Sequence, residues 1–238
     1  MNLRTLAAAF SYFTIFPTVN REHTPPASAA FGYLPIVGII IGAIAGWAGY
    51  GLSLLGLQPL AIACAFALPI VLTGALHVDG FLDSCDALFA CVDPEQRLRI
   101  LKDPHHGTFA IAYLAVAVAV WIAAIAMLPP VAWPASFALA GGIGRWSAAI
   151  NLMRYPYAGT ERFTTVAVMA NAFLLGVLSM TVAHWARFAL VPVAALSLII
   201  GEWAARRLGG RLTGDVYGAL IIVCEIATLT IYAALYGR

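Results

Sequence analysis

Charged side chains are what this chain has least of: they make up 10% of its 238 residues, while 62% are hydrophobic. With a mean hydropathy of +0.90, that scarcity excludes an ordinary soluble globule and points to an integral membrane protein. Thirteen cations against eleven acids leave a net charge of only +2. The cations are dispersed, so there is no basic stripe for nucleic acid and none is expected as a partner. Cysteine is also sparse. Cys64, Cys85, Cys91 and Cys224 form no CxxC pair, and two lie in apolar runs where cysteine behaves as a small hydrophobe, so neither a disulfide framework nor a zinc site is expected. The first twenty residues have a cation and an apolar run but no small-residue cleavage site, which reads as a retained, interface-lying helix rather than a signal peptide. There is no internal repeat and no linker, so residues 1–238 read as a single integral membrane domain.

What the chain does contain is long apolar segments. After a polar break at Asn20 to Ser28, one runs from Phe31 to Leu57, enough to span a hydrocarbon core of roughly 30 Å. Its glycines Gly38, Gly42, Gly46 and Gly49 recur at helical spacing and favour close helix packing. Further spans are expected over Pro59–Leu76, Phe109–Leu128, Ala135–Met153, Thr165–Ala183 and Phe188–Ala204, with a last one ending near Tyr236. The fold expected is all-α: a polytopic helical bundle of about seven transmembrane helices with short cytoplasmic or interfacial helices. With a cytoplasmic amino terminus, the cations Arg4, Arg21, Arg97, Arg99, Lys102, Arg154, Arg162, Arg206, Arg207 and Arg211 fall on the cytoplasmic side, and only Arg187 and Arg238 face outward. This is the asymmetry that orientation rules expect in a bacterial inner membrane.

One stretch breaks the apolar monotony. His77 to Thr108 holds six of the eleven acids, Asp79, Asp83, Asp86, Asp93, Glu95 and Asp103, and this cytoplasmic acidic region is where polar chemistry can occur. Asp79, Asp83 and Asp86 are spaced i, i+4, i+7, so on a helix they share a face within about 60°. Three carboxylates facing one way repel each other and call for a cation. Mg²⁺ suits them, being held by a few carboxylates together with substrate phosphates. The plain alternative is an acidic juxtamembrane helix with no ligand.

Further on, EQRLRILKD reads as a short helix presenting Arg97, Arg99 and Lys102 to phosphate. In HHGTFA, Gly107 and Thr108 open a helix whose free N–H groups favour an anion. Acids for a metal, cations for phosphate and a helix start together fit phosphoryl transfer. His77, His105 and His106, all beside loops, read more readily as solvated or hydrogen-bonded side chains than as ligands. Asp93, before Pro94, reads as a turn or helix cap. Asp215 opens the final helix, where an N-cap role competes with a site role. Glu202 and Glu225 lie within spans and should face a cavity or a partner, and Arg145 is a natural partner for one of them or for a phosphate.

With these residues in hand, the chain resembles the cobalamin synthase family, the adenosylcobinamide-GDP ribazoletransferases, over nearly its whole length. The likeness rests on FGYLPIVGIIIG, GALHVDGFLDSCDALFA, ILKDPHHGT, the R-Y-P-Y-A loop and LTGDVYGA. It implies a Mg²⁺-dependent reaction in which a ribose hydroxyl of α-ribazole, or of its 5′-phosphate, attacks the cobinamide-side phosphorus of adenosylcobinamide-GDP and GMP leaves. Carried over by position, Asp79, Asp83 and Asp86 would hold metal and pyrophosphate, Lys102 and Asp103 would lie at the phosphate, and Asp215 would approach from the last loop. Asp103 or Asp86 would serve as base. The chain departs from the family pattern at Ala87, Pro104, Gly159, Ile221 and Ile222, where the resemblance implies glycine, serine, arginine and an Asn-Glu pair. These departures bear on the surroundings of the site more than on the reaction. The expected partners are the two substrates and the lipid bilayer, with an oligomer left open. A CDP-alcohol phosphotransferase would want Ala-Arg where Asp83-Ser84 stands, and a secondary transporter would gather its charges at the bilayer midplane rather than at one face.

Overall fold

The structure is a computed structural model that describes residues 3–18, 30–155, 165–182 and 186–236. Among the described residues every regular element is helical: α1 (Leu3–Phe13), α2 (Leu34–Leu54), α3 (Gln58–Leu72), α4 (Leu76–Phe89), α5 (Pro94–Ile100), α6 (Thr108–Met127), α7 (Trp133–Arg154), α8 (Thr165–Val182), α9 (Leu190–Arg207) and α10 (Gly214–Tyr236). The all-α membrane bundle is therefore present, and each of the seven expected spans coincides with a helix. Among the described residues, however, three segments are long and apolar enough to cross a membrane by themselves: Phe31–Leu54, Thr108–Met127 and Gly214–Tyr236. A fourth is available if α3 and α4, bent by 86° at the break between them, count as one broken span. Helix α7 is less apolar because of its place. Its Ser136, Arg145, Ser147 and Asn151 are buried against other helices.

Helices α7 and α10 form the centre. Helices α2, α8 and α9 pack on α7, while α4, α6 and α9 pack on α10. In lipid no hydrophobic force drives helices together, so van der Waals fit between close backbones has to do it. The glycine stripe of α2 provides that fit. A Cβ on Gly38 or Gly42 would collide with the carbonyl of Gly141 or Phe137 on α7, and one on Gly46 would lie 2.6 Å from the Trp133 oxygen.

Several polar side chains within the bundle are paired with one another, as a medium without water favours. The Arg145 guanidinium donates to the Glu225 carboxylate and, at 3.1 Å, to the Gly141 carbonyl, with both charged side chains almost wholly buried. Asn151 Nδ2 donates to Ser197 Oγ at 2.9 Å, tying α7 to α9. Glu202 lies toward the end of α9 and pairs with Arg154 at 2.7 Å and Arg206 at 2.9 Å. Both acids expected to need partners have them, and Arg145 belongs to Glu225.

The chain turns through nearly a right angle between α3 and α4 at Gly74 and Ala75, each with φ of +59°. Glycine takes this conformation freely, whereas at Ala75 it costs about 1 kcal/mol or more. That turn sets the 86° bend, so the acidic helix leaves the line of α3 and comes to lie on α10.

The stripe makes a direct prediction. Gly42→Ala should lower stability by about 2–3 kcal/mol, since backbone cannot yield to the added methyl. Gly51→Ala, whose Cβ meets nothing within 4 Å, should be neutral or slightly stabilising. Thermal unfolding in detergent checks this, and equal midpoints for the two variants would contradict close α2–α7 packing.

Candidate active site

Helix α4 carries Asp79, Asp83 and Asp86 on one face, as their spacing predicts, and they grade from exposed Asp79 through partly buried Asp83 to buried Asp86. Its other positions, Phe81, Cys85 and Leu88, enter the core. What places this face is its crossing with α10. A Cβ on Gly80 would lie 2.7 Å from the Asp215 carbonyl oxygen, so only glycine lets the start of α10 touch α4. Asp215 thereby joins the acidic face: the charges of Asp79, Asp215 and Asp86 all act on Asp83, opposed by His106. His106 Nδ1 lies 3.4 Å from Asp83 Oδ1.

Asp86 has a structural duty. Its carboxylate accepts from the Gly107 N–H at 2.5 Å and the Ala110 N–H at 3.0 Å, two of the donors left open at the start of α6. The helix start at Gly107 and Thr108 thus meets an anion, but that anion is Asp86 itself. The contact explains Gly107, because a Cβ there would lie 2.8 Å from Asp86 Oδ1.

The same C-terminal end of α4 is also held by arginines. Arg97 Nη1 donates to the Ala87 and Leu88 carbonyls at 2.6 and 2.9 Å, and Arg207 Nη1 donates to Leu88 at 2.6 Å. They satisfy carbonyls that have no partner within the helix and answer the negative end of its dipole. Arg97, expected at phosphate, is therefore buried as a cap. Arg99 pairs with Glu95 at 2.8 Å on the exposed face of α5, and Asp93 caps that helix by accepting from the Gln96 N–H at 2.8 Å. Arg145 stays inside the bundle with Glu225.

Lys102 and Asp103 are exposed in the loop before α6. The His105 N–H donates to Asp103 Oδ1 at 2.9 Å and the His105 ring lies 2.8 Å away. These contacts hold the Asp103 carboxyl below the usual carboxylate range. Gly159 and Arg162 of the R-Y-P-Y-A loop lie outside the described residues.

Beside the acids is a cavity of about 270 Å³ between the starts of α4 and α10, the end of α7 and aromatic residues near the amino terminus. Asp79 and Asp215 belong to its wall, with His77, Phe13, Phe31 and Ile221. His77 is not solvated as its position beside a loop suggested: it is 6% exposed, and its Nε2 has no hydrogen-bond partner. Among the described residues no three His, Cys, Asp or Glu side chains already form a metal-holding group. The donor set is hard carboxylate oxygen, and Asp86 is partly committed. It suits an ion held by one or two carboxylates and completed by substrate phosphates, the usual habit of Mg²⁺.

The Asp86 contact can be tested. Asp86→Ala leaves two N–H donors without their acceptor, that of Ala110 buried, and should cost about 1–3 kcal/mol of stability, with faster hydrogen exchange at Gly107 and Ala110. Asp86→Asn, which keeps an acceptor, should lose less. Equal loss in both variants would assign Asp86 a role other than capping.

A relative from Deinococcus radiodurans named adenosylcobinamide-GDP ribazoletransferase is 36% identical over 236 residues, covering 96% of this chain and 85% of the relative. One of the same name from Desulforamulus reducens is 31% identical and covers 98% and 97%. Another from Synechococcus elongatus is 33% identical over 91% and 90%. No solved structure matches. The family described as cobalamin-5-phosphate synthase matches residues 5–233, and the chain belongs to that family.

Proposed function

We propose that this membrane enzyme joins α-ribazole, or its 5′-phosphate, to adenosylcobinamide-GDP with release of GMP, at the cytoplasmic face of a bacterial inner membrane. Relatives that span nearly the whole chain carry the name of that transfer. The observation that carries the reading is the crossing at Gly80. It adds Asp215 to the acidic face of α4, so that four carboxylates gather at the α4–α10 crossing and two of them reach the cavity wall.

In the transfer, a ribose hydroxyl oxygen forms a bond to the cobinamide-side phosphorus. The bond from that phosphorus to the bridging oxygen breaks, and GMP departs with the electron pair. Asp83 and one of Asp79 and Asp215 would hold Mg²⁺, which when bound neutralises charge on the pyrophosphate. Asp86 spends its oxygens on the α6 amides, so the hydroxyl proton is better received by Asp79 or Asp215 at the cavity wall. Lys102, exposed beside α6, supplies a positive charge to the incoming diphosphate.

The test is GMP release by purified protein given adenosylcobinamide-GDP, α-ribazole and Mg²⁺. The wild type should turn over, and Asp83→Asn should lose at least about a hundredfold in kcat with the fold retained. Mg²⁺-dependent release that survives Asp83→Asn in a folded sample would refute the metal assignment. No turnover, with ion-coupled uptake into liposomes, would favour a transporter instead.

A further inference from the structure

We propose that a second cavity, between α6 and α9, seats an acyl chain of an anionic phospholipid, with the phosphate of that lipid against Arg207. The site lies on the face of α4 opposite the aspartates, and nothing in it depends on which group the enzyme transfers.

The cavity holds about 400 Å³, within the range of about 300–1,000 Å³ that takes ligands of drug size. Phe81 and Leu88 of α4, Tyr113 of α6, Ile199 and Trp203 of α9 and Val223 of α10 wall it, and apart from Ser84 its lining is apolar or aromatic. A polar ligand finds little there to orient it, whereas a hydrocarbon chain needs only such walls.

The mouth of the cavity faces lipid. Helix α6 is long and apolar enough to span a membrane, and little of it is buried inside the bundle. Tyr113 stands in the second turn of that span, about 7–8 Å from its start by the helical rise. On the other side of the mouth Ile199, about two turns before the end of α9, is 68% exposed. An apolar opening at that depth meets acyl chains rather than water. Around it Phe89 stacks on Tyr113 with ring centroids 4.2 Å apart and lies 5.4 Å from Trp203. Tyrosine and tryptophan favour the level of the headgroups, so this aromatic group marks the edge of the acyl region.

The cationic end of the cavity selects the lipid. The Arg207 guanidinium carbon lies 4.9 Å from the Trp203 ring centroid, and Arg97 comes beside it, both arginines donating to the Leu88 carbonyl. Among the described residues neither arginine forms an ion pair with an acid. Burial and the neighbouring Arg207 charge push the Arg97 guanidinium down from its usual value. Arg207 is only partly buried, and Leu88 engages one nitrogen of a group with five N–H donors. A phosphate there gains charge-assisted hydrogen bonds and answers two like charges at once. It also steadies the end of the helix that carries the aspartates.

Photolabelling of the wild type in detergent tests this, using equimolar phosphatidylglycerol with a diazirine in one acyl chain. Tyr113, Ile199 or Val223 should be labelled at least about fivefold more than Ile44 and Trp47, which are exposed on α2 and take no part in the cavity wall. Unlabelled phosphatidylglycerol should compete about fivefold better than phosphatidylcholine, and inorganic phosphate should not compete. Arg207→Gln should bring the two lipids within about twofold of each other, with the labelled positions unchanged. Equal labelling on α2 would make the lipid a general annulus and overturn the site, whether or not the variant folds. Equal competition by the two lipids in the wild type, or a preference that survives in folded Arg207→Gln, would overturn the place of the phosphate. Competition by inorganic phosphate would reduce the site to an anion site, and displacement by adenosylcobinamide-GDP would give the cavity to a substrate; either result rejects the lipid.

Discussion

The backbone-to-backbone approach of α4 and α10 at Gly80 is the contact on which the site depends. A Cβ there would lie 2.9 Å from the Asp215 Cα and 2.7 Å from its carbonyl oxygen. Like-charged carboxylates do not gather by themselves, so the rest of the bundle has to hold them together. The Gly74–Ala75 turn aims α4 across α10, Arg97 and Arg207 hold one end of α4, and Asp86 fastens it to the start of α6. Below that end, α7 is clamped by glycine contacts to α2 and by the Arg145–Glu225 pair to α10. The pair contributes little net stability by itself, but breaking one partner would strand a buried charge at about 3–5 kcal/mol. It keeps α10 in place relative to α7, and with it the first turn of α10, where Asp215 sits.

Much of this was legible in the sequence. Apolar runs announced the helices, the glycine spacing on α2 announced its tight packing, and the i, i+4, i+7 aspartates announced one acidic face. The cap at Asp93 could also be read, because an Asp-Pro step followed by a short amphipathic run has a local cause. By local pattern Arg97 and the Gly107 helix start look open to phosphate, yet both are occupied within the protein. Their partners, the carbonyls at the end of α4 and the Asp86 carboxylate 21 residues before Gly107, depend on a tertiary contact that local pattern does not encode. The same holds for His77, whose burial follows from the packing of α4 on α10 rather than from its neighbours in the chain. A faint signal was present: an ionisable residue one step inside an apolar run, in the same motif as the aspartates.

The division of labour among the four aspartates also emerges only from the fold. On the helical wheel Asp79, Asp83 and Asp86 are equivalent, but burial and amide donors separate them. Asp86 organises, Asp79 and Asp215 face the cavity, and Asp83 stands among all the others with His106 beside it. The departures at Ala87 and Ile222 fall on buried positions, and Ile221 on the cavity wall.

If the α4–α10 crossing gathers the four carboxylates, GMP release is the property that Gly80→Ala should change. The added methyl has to push the Asp215 backbone away, and a displacement of about 1 Å at a reacting centre costs on the order of a hundredfold. That loss in kcat is expected with helical content and Arg145–Glu225 burial unchanged. Turnover equal to wild type in a folded Gly80→Ala protein would contradict it.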